Sequence, residues 1–199
     1  VQSLELVTSA NLVDRVALEV GVYGQQVLDR IEFVQSGFNF RAENQGELRN
    51  VGLELKVRGA LDRFAPYATV ALQKTLDTSM KLQGPPPLYP DAFGRAGVSV
   101  DVPEAYLRAN TQVRVVGPRG ASQSNVLLNN QVPYELPGFF ELDLAVTSAG
   151  VYLWSDAVET RLSLLVNNLL DRRYSEPAFG GFDIPVGGRY VLLELRQGF

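Results

Sequence analysis

Carboxylates at alternate positions are the residues of this chain that come closest to a catalytic pattern. Glu141 and Asp143 are two residues apart, and Glu54 has a similar setting in another segment. Paired carboxylates can supply the acid and the base of glycoside hydrolysis. On one face of a strand they can equally pair with cations such as Lys56 and Arg114. The second interpretation is favoured, and we expect no enzymatic activity.

The composition removes most other chemistry. The 199 residues include no His and no Cys, so the commonest general base, thiol catalysis and thiolate metal sites are absent. No Asp-rich calcium loop is present. We therefore expect neither a bound metal nor a cofactor. The 18 Lys and Arg against 22 Asp and Glu give a net charge of −4, which argues against a nucleic-acid partner.

The elements that position these side chains follow from the hydrophobic period. Apolar and polar residues alternate in nine runs, which predicts strands with one apolar and one polar face. No segment has a convincing helical period, and none approaches the ~18 consecutive apolar residues of a membrane-spanning helix. The nine runs cover residues 4–6, 16–22, 51–57, 66–72, 96–102, 107–115, 140–146, 162–166 and 191–195.

The connections between the runs alternate in length. Short ones lie at residues 13–14, 60–63, 103–105 and, slightly longer, 148–160. Long polar ones lie at residues 25–46, 77–93, 117–137 and 171–188. Short periplasmic turns and long extracellular loops are typical of a membrane β-barrel. The sequence thus predicts an all-β, antiparallel, up-and-down transmembrane β-barrel, partial, with about nine strands.

Three segments resemble TonB-dependent outer-membrane receptors. Residues 43–55, ENQGELRNVGLEL, resemble a strand entry of that family. Residues 164–177, LLVNNLLDRRYSEP, are similar to the V-x-N-L-h-D-x-x-Y-x-x-P segment near its end. Residues 185–190, PVGGRY, resemble the start of its closing strand, which here ends on Phe199. Gln197 departs from the apolar alternation usual in that strand.

The resemblance implies a role in transport. It covers the C-terminal barrel portion of such a receptor, so residues 1–199 are expected to form part of a barrel with no plug domain. Complete barrels have 22 strands. The family takes up scarce ligands, such as iron chelates, cobalamin or saccharides, across the bacterial outer membrane. The implied partners are outer-membrane lipid, the remaining strands, the plug and, through the plug, TonB.

The ends of the chain and the strand count add an expectation. Val1 opens in a strand-like run with neither an initiator Met nor a signal-peptide pattern, so we expect a piece of something longer or a processed product. Nine strands leave two edges unpaired, which lipid does not tolerate. Either further strands lie elsewhere, or one predicted strand is wrong.

Candidate ligand-binding residues lie in the loops and on the polar strand face. Tyr89 and Tyr134 are aromatic loop residues that could stack on a ligand, as are Phe93 and Phe179. The residues Pro85, Pro86, Pro87 and Pro90 would stiffen the loop that carries Tyr89. The polar face contributes Arg108 and Arg114.

Other conspicuous residues are given structural interpretations. Asn168 and Asp171 are expected to shape the turn that follows a strand. Aromatic residues near the short connections fit the girdle at a membrane interface. They are Phe64, Tyr106, Tyr152, Trp154 and Phe199.

Two alternatives to a receptor stay open. One is a small stand-alone outer-membrane barrel that acts as a pore, an adhesin or a structural protein. The other is a soluble β-sandwich binding module, because strands of a sandwich alternate in the same way.

Overall fold

The computed structural model describes residues 1–29, 31–36, 39–44, 46–77, 88–152, 159–178 and 180–197. Within these residues the chain forms strands and two short helical segments. In chain order they are β1 (Gln2–Val13), β2 (Val16–Leu28), β3 (Ile31–Ser36), β4 (Asn39–Asn44), β5 (Glu47–Gly59), β6 (Phe64–Asp77), β7 (Ala92–Val102), a 3-10 helix (Pro103–Ala105), β8 (Leu107–Val116), β9 (Arg119–Gly120), α1 (Gln123–Leu128), β10 (Glu135–Leu136), β11 (Phe139–Ser148), β12 (Thr160–Asn167), β13 (Ser175–Glu176), β14 (Ile184–Pro185) and β15 (Tyr190–Gln197).

Nine of these strands form one sheet, in the order β1, β2, β5, β6, β7, β8, β11, β12, β15. Each pairs antiparallel with the next, so the topology is up-and-down. The predicted all-β class and the count of nine strands are confirmed. The sheet is open, with β1 and β15 at its edges, as expected for part of a barrel. Because one sheet carries the whole fold, the two-sheet sandwich alternative is wrong.

The predicted alternation of connections is confirmed. At one end of the sheet, short connections join β1 to β2, β5 to β6 and β7 to β8. At the other end, long connections carry the three small two-stranded sheets: β3 with β4, β9 with β10, and β13 with β14. The connection from β11 to β12 lies at the short end, and its residues 153–158, including Trp154, are outside the described residues.

Two details depart from the sequence analysis. The strands are longer than the alternating runs: β2 has 13 residues and β6 has 14. Towards the long loops both strands carry consecutive polar residues, Gln25 and Gln26 in β2 and Gln73 to Thr75 in β6. The apolar alternation is therefore interrupted before the backbone pairing ends. The second departure is α1, which is too short for a readable period and is fixed instead by its N-cap, Ser122, whose side chain accepts a hydrogen bond from Asn125 N. Among the described residues, no helix has the length and apolarity needed to cross a membrane.

One face of the sheet is apolar and stays uncovered. Val57 lies between Leu18 and Ala68, and the same face continues across β7 to Val113 and Leu142. Only six apolar side chains of the described residues are buried, so the sheet has no apolar core of its own. The exposed apolar side chains of this face include Leu6, Val22, Leu72, Val115 and Leu193. An uncovered face of this extent fits contact with an apolar phase.

The opposite face is polar and holds paired charges. Lys56 Nζ lies 2.8 Å from Glu19 and 3.6 Å from Glu54. Arg114 lies 3.5 Å from Glu141, so the expected pairing with strand cations is confirmed for Glu54 and Glu141. Asp143 instead accepts a hydrogen bond from Asn168 N over 2.9 Å. One row of this face crosses six strands in register: Glu19, Lys56, Thr69, Arg95, Arg114 and Glu141.

A tyrosine covers a glycine at two places on the polar face. Tyr23, Gly52 and Gln73 form the first set, and Tyr67, Gly97 and Gln112 form the second. In each set the three residues are in register on neighbouring strands. The tyrosine lies over the glycine and donates a hydrogen bond to the glutamine, over 3.2 Å in the first set and 3.0 Å in the second. Glycine is required here because a side chain would occupy the space of the ring.

The predicted aromatic girdle is described in part. Phe64, Tyr106 and Tyr152 lie at the short-connection end and are exposed by 52%, 64% and 61%. Half-exposed rings near the same end of a sheet suit a membrane interface, and that role stays a prediction. Trp154 and Phe199 lie outside the described residues, as do Phe179 and Pro85 to Pro87.

Candidate functional site

The four predicted ligand-binding residues occupy three regions of the fold. Arg114, near the end of β8, and Tyr134, in the following loop, lie at the long-loop end of the sheet. Tyr89 lies in the β6 to β7 connection, where Leu88 N donates to Gly120 O over 3.0 Å. Arg108 lies six residues before Arg114 on β8, roughly 20 Å away at the short-connection end. There it pairs with Asp101 over 2.5 Å.

Two long loops dock against each other beside Arg114. We name residues 117–138, between β8 and β11, loop A, and residues 168–189, between β12 and β15, loop B. The two together are the loop platform. Ser122 Oγ in loop A donates to Ala178 O in loop B over 2.5 Å. Arg119 pairs with Glu176 and donates to Ser175 O over 3.1 Å. Arg119 is 5% exposed and Ser122 fully buried, so these contacts are shielded from water.

Asn125, the third residue of α1, links the loops a second time. Its amide nitrogen donates to Phe182 O over 3.0 Å and to Asp183 Oδ1 over 3.2 Å, and its amide oxygen accepts from Gly181 N over 2.8 Å. Tyr134 donates to Asp183 Oδ2 over 2.9 Å. Because Asn125 is 2% exposed and fully bonded, it fixes the position of loop B relative to loop A.

Tyr134 is part of the inside of the platform. It packs against the small apolar cluster of Ala121, Val126 and Leu136. Burial, with the Asp183 carboxylate as hydrogen-bond partner, raises the pKa of the Tyr134 phenol. The structure gives Tyr134 this packing role, and its stacking on a ligand stays a prediction, as does that of Tyr89, which is 47% exposed.

An aromatic and guanidinium stack joins the platform to the polar face. The rings of Phe139 and Tyr174 lie 3.7 Å apart at an angle of 9°. The guanidinium groups of Arg114 and Arg119 each lie 5.1 Å from the centre of the Phe139 ring. The stacked rings and the two guanidinium groups beside them form one cluster at the long-loop end.

Tyr174 is also the hydrogen-bonding centre of this stack. Its hydroxyl donates to Glu141 Oε2 over 2.6 Å and accepts from Arg114 Nη2 over 2.8 Å. Burial raises the pKa of Tyr174 to about 12, helped by the bond to the Glu141 carboxylate and opposed by the Arg114 charge. The neutral phenol is therefore the form that holds loop B to the sheet.

Docking of loop B is expected to weaken in strong alkali. Because the pKa of Tyr174 rises from 10.0 to about 12 in the folded protein, its contribution is complete below pH 10 and is lost as the pH rises towards 12. A spectrophotometric phenol titration should show late-titrating phenols, because the pKa values of Tyr134 and Tyr174 are both raised, and the Tyr174→Phe variant should lose the component near pH 12. Titration of all tyrosines in a single transition near pH 10 would contradict this.

The turn after β12 has the structural role expected of it. Asn168 N donates to Asp143 Oδ1 over 2.9 Å, and the Asn168 side chain bonds Arg172 N and Arg172 O, each over 2.8 Å. Asp171 Oδ1 accepts from Arg189 N over 2.9 Å. Asn168 and Asp171 both have φ of 51°, a backbone conformation that Asn and Asp tolerate. The interpretation of Asn168 and Asp171 as turn-forming residues is confirmed.

Sequence reasoning missed the residues that join the loops. Arg119, Ser122 and Asn125 contact partners 56 to 58 positions along the chain. No local pattern marks them, because their role exists only once β8 and β12 flank β11. Tyr174, by contrast, is marked by the motif in residues 164–177. Among the described residues, no three Asp or Glu side chains come together to hold a metal. The arrangement of aromatic and guanidinium groups suits binding.

Known structures match the chain over almost its whole length. The FyuA ferric yersiniabactin uptake receptor of Yersinia pestis aligns with 99% of this chain at a TM-score of 0.76 and 18% identity. The FrpB iron transporter of Neisseria meningitidis aligns with 98% at 0.73 and 18% identity. The Fiu ferric-catecholate import receptor of Escherichia coli aligns with 96% at 0.72 and 18% identity. No protein-family model and no curated protein sequence matches the chain.

These likenesses define the fold. The chain has the fold of part of a TonB-dependent outer-membrane receptor barrel, as the sequence resemblance predicted. It spans about a third of the length of these receptors: 30% of FyuA, 31% of FrpB and 26% of Fiu.

Proposed function

We propose that this chain supplies adjacent strands and loops of an outer-membrane receptor that takes up a ferric chelate with energy delivered through TonB. The observation that carries the proposal is the match of the entire nine-stranded sheet to receptors described as iron or siderophore importers. In such a receptor the apolar face contacts outer-membrane lipid and the polar face lines the lumen. The chain has no enzymatic role in this proposal.

The open edges of the sheet support a larger assembly. In the part of the chain that the structure describes, no strand pairs with the outer side of β1 or of β15. Backbone groups left unpaired in lipid cost several kcal/mol each, so further strands must pair with both edges. We infer that these strands belong to the rest of a receptor barrel that surrounds a plug. This disfavours a stand-alone barrel made of these nine strands.

The loop platform supports ligand capture in the proposed receptor. It places Arg114, Phe139 and Tyr174 in a fixed arrangement at the end that would face the medium. A chelate that brings its own iron needs cationic, aromatic and hydrogen-bonding contacts but no protein ligands to the metal. Iron is favoured over cobalamin or a saccharide because the matched structures are iron or siderophore receptors.

Uptake of labelled iron tests the proposal. Iron-starved cells that produce the intact receptor should accumulate radioactive iron supplied as ferric catecholate or hydroxamate chelates. Deleting TonB should reduce uptake to the level of cells without the receptor but leave surface binding intact, because energy is needed only for passage. Labelled cobalamin and maltodextrin serve as controls. Accumulation of either one instead of iron would replace the ferric assignment, and equal uptake without TonB would contradict active transport.

A further inference from the structure

Phe93, which the sequence analysis placed in a long loop, lies in β7 and shares the polar face of that strand with Arg95. They are two residues apart, so their side chains leave the strand on the same face. Both are exposed, Phe93 by 42%. In the register of the sheet, Phe93 is in the row of Val116 and Phe139, which places the pair directly beside the stack under the loop platform.

Among the described residues, Arg95 differs from the other cations of its row in having no carboxylate beside it. Lys56 has Glu19 at 2.8 Å, and Arg114 has Glu141 at 3.5 Å. Within the part of the chain that the structure describes, no hydrogen bond or ion pair involves the Arg95 side chain. Its register neighbours are Thr69 on β6 and Arg114 on β8. Arg95 therefore stands directly opposite another cation.

Two guanidinium groups in register destabilise each other unless anions neutralise them. Glu141 does so for Arg114, whereas Arg95 has no such carboxylate among the described residues. An anion bound at Arg95 would receive charge-assisted hydrogen bonds from its guanidinium group. The exposed Phe93 ring offers a flat apolar surface beside the same position, which suits a planar aromatic group. A ligand that satisfies both residues carries an acidic group on an aromatic ring.

We propose that Phe93 and Arg95, next to Arg114, form a binding site for an anionic aromatic ligand, such as an aromatic carboxylate. The site rests on the proposed function only in that the polar face lines a lumen; it does not require that the cargo contain iron. In the receptor the site would hold a ligand that has passed the loop platform.

Benzoate and benzamide test the site, because they have nearly the same shape and differ in charge. Binding to the intact receptor in detergent micelles can be measured by saturation-transfer NMR. We expect benzamide to bind about tenfold more weakly than benzoate, or worse. Arg95→Gln should abolish this preference, and Phe93→Ala should weaken both probes. Arg63→Gln is the matched control, since it removes the same charge at the short-connection end and should keep the preference.

Three outcomes would overturn the site. They are equal binding of the two probes to the unmodified receptor, a preference that survives in Arg95→Gln, and a lower thermal stability of the ligand-free Arg95→Gln receptor than of Arg63→Gln. The last would mean that a carboxylate of the protein itself, for instance from a plug, occupies Arg95. If the receptor fails to take up iron but still prefers benzoate to benzamide, the proposal of a ferric cargo is wrong and the proposal of this site stands.

Discussion

Gly97→Ala is expected to destabilise the sheet by about 3 kcal/mol or to prevent its assembly. A Cβ at Gly97 would lie 2.6 Å from the backbone oxygen of Thr111 and 2.6 Å from the phenol oxygen of Tyr67. A backbone atom in a paired strand cannot move without distorting the ladder. Moving Tyr67 would also break its 3.0 Å hydrogen bond to Gln112. The effect can be measured as the urea midpoint of the intact receptor in detergent, with folding in cells followed by heat-dependent gel mobility.

Gly24 and Gly52 serve as comparison positions for Gly97. Gly24, also inside a strand, has no atom within 4 Å of its would-be Cβ, so Gly24→Ala should be nearly neutral. At Gly52 the nearest atoms all belong to the Tyr23 ring. Tyr23→Leu should therefore relieve much of the Gly52→Ala defect, whereas no change at Tyr67 can move the Thr111 carbonyl away from Gly97. A Gly97→Ala receptor as stable as Gly24→Ala would contradict the close approach of these strands.

Arg119→Met is expected to release loop A from loop B. Arg119 is 5% exposed, pairs with Glu176 and lies against Phe139. Removing one partner of a buried pair costs about 3–5 kcal/mol, and the 38% exposure of the Glu176 side chain places this pair at the lower end of that range. Because ~1.4 kcal/mol is a factor of ten in an equilibrium constant, about 3 kcal/mol raises the equilibrium constant for loop opening by roughly a hundredfold or more. Hydrogen exchange of residues 117–138 and 168–178 measures this opening.

An exposed ion pair of the same kind is the control. Arg63 pairs with Glu104 over 2.6 Å, with side chains 49% and 62% exposed. Exposed pairs contribute about 0–1 kcal/mol, so Arg63→Met should leave exchange in both loops unchanged. If exchange became faster throughout the nine-stranded sheet, and not only in the two loops, Arg119 would stabilise the sheet and not the loop platform alone. Unchanged exchange in Arg119→Met would show that Asn125 and Ser122 suffice to hold the loops together.

In the proposed receptor, the loop platform and the nine-stranded sheet have different roles. Loops A and B share buried polar contacts, so they are expected to move as one body and to present Arg114, Phe139 and Tyr174 in fixed positions. The nine-stranded sheet beneath them is stabilised by cross-strand pairing and by the close contact of Tyr23 with Gly52 and of Tyr67 with Gly97. Binding therefore depends on the platform contacts, and assembly depends on close approach of the strands, so the two classes of variant should separate in experiment.

The strands and faces of this protein could be predicted from the sequence because they depend on neighbours along the chain. Alternation in residues 16–22 and 107–115 follows from the period of a strand, and the long polar segments between such runs mark where the long connections lie. The turn at Asn168 and Asp171 was predictable for the same reason, since side chains of this type bond to backbone a few residues away. The lack of His and Cys likewise excludes, on composition alone, chemistry that would depend on an imidazole or a thiol of this chain.

The contacts between segments that are distant along the chain could be known only from the tertiary structure. The register of the sheet places Arg95 opposite Arg114 and Tyr67 over Gly97. A shift of one residue in the pairing would put the partners of each pair on opposite faces of the sheet. The binding candidates were divided by the fold: Arg108 and Arg114 share a strand but lie at opposite ends, and Tyr134 turned inward. Local sequence sets the period and the turns, whereas register and loop docking depend on the sum of many weak contacts made only after the sheet has formed.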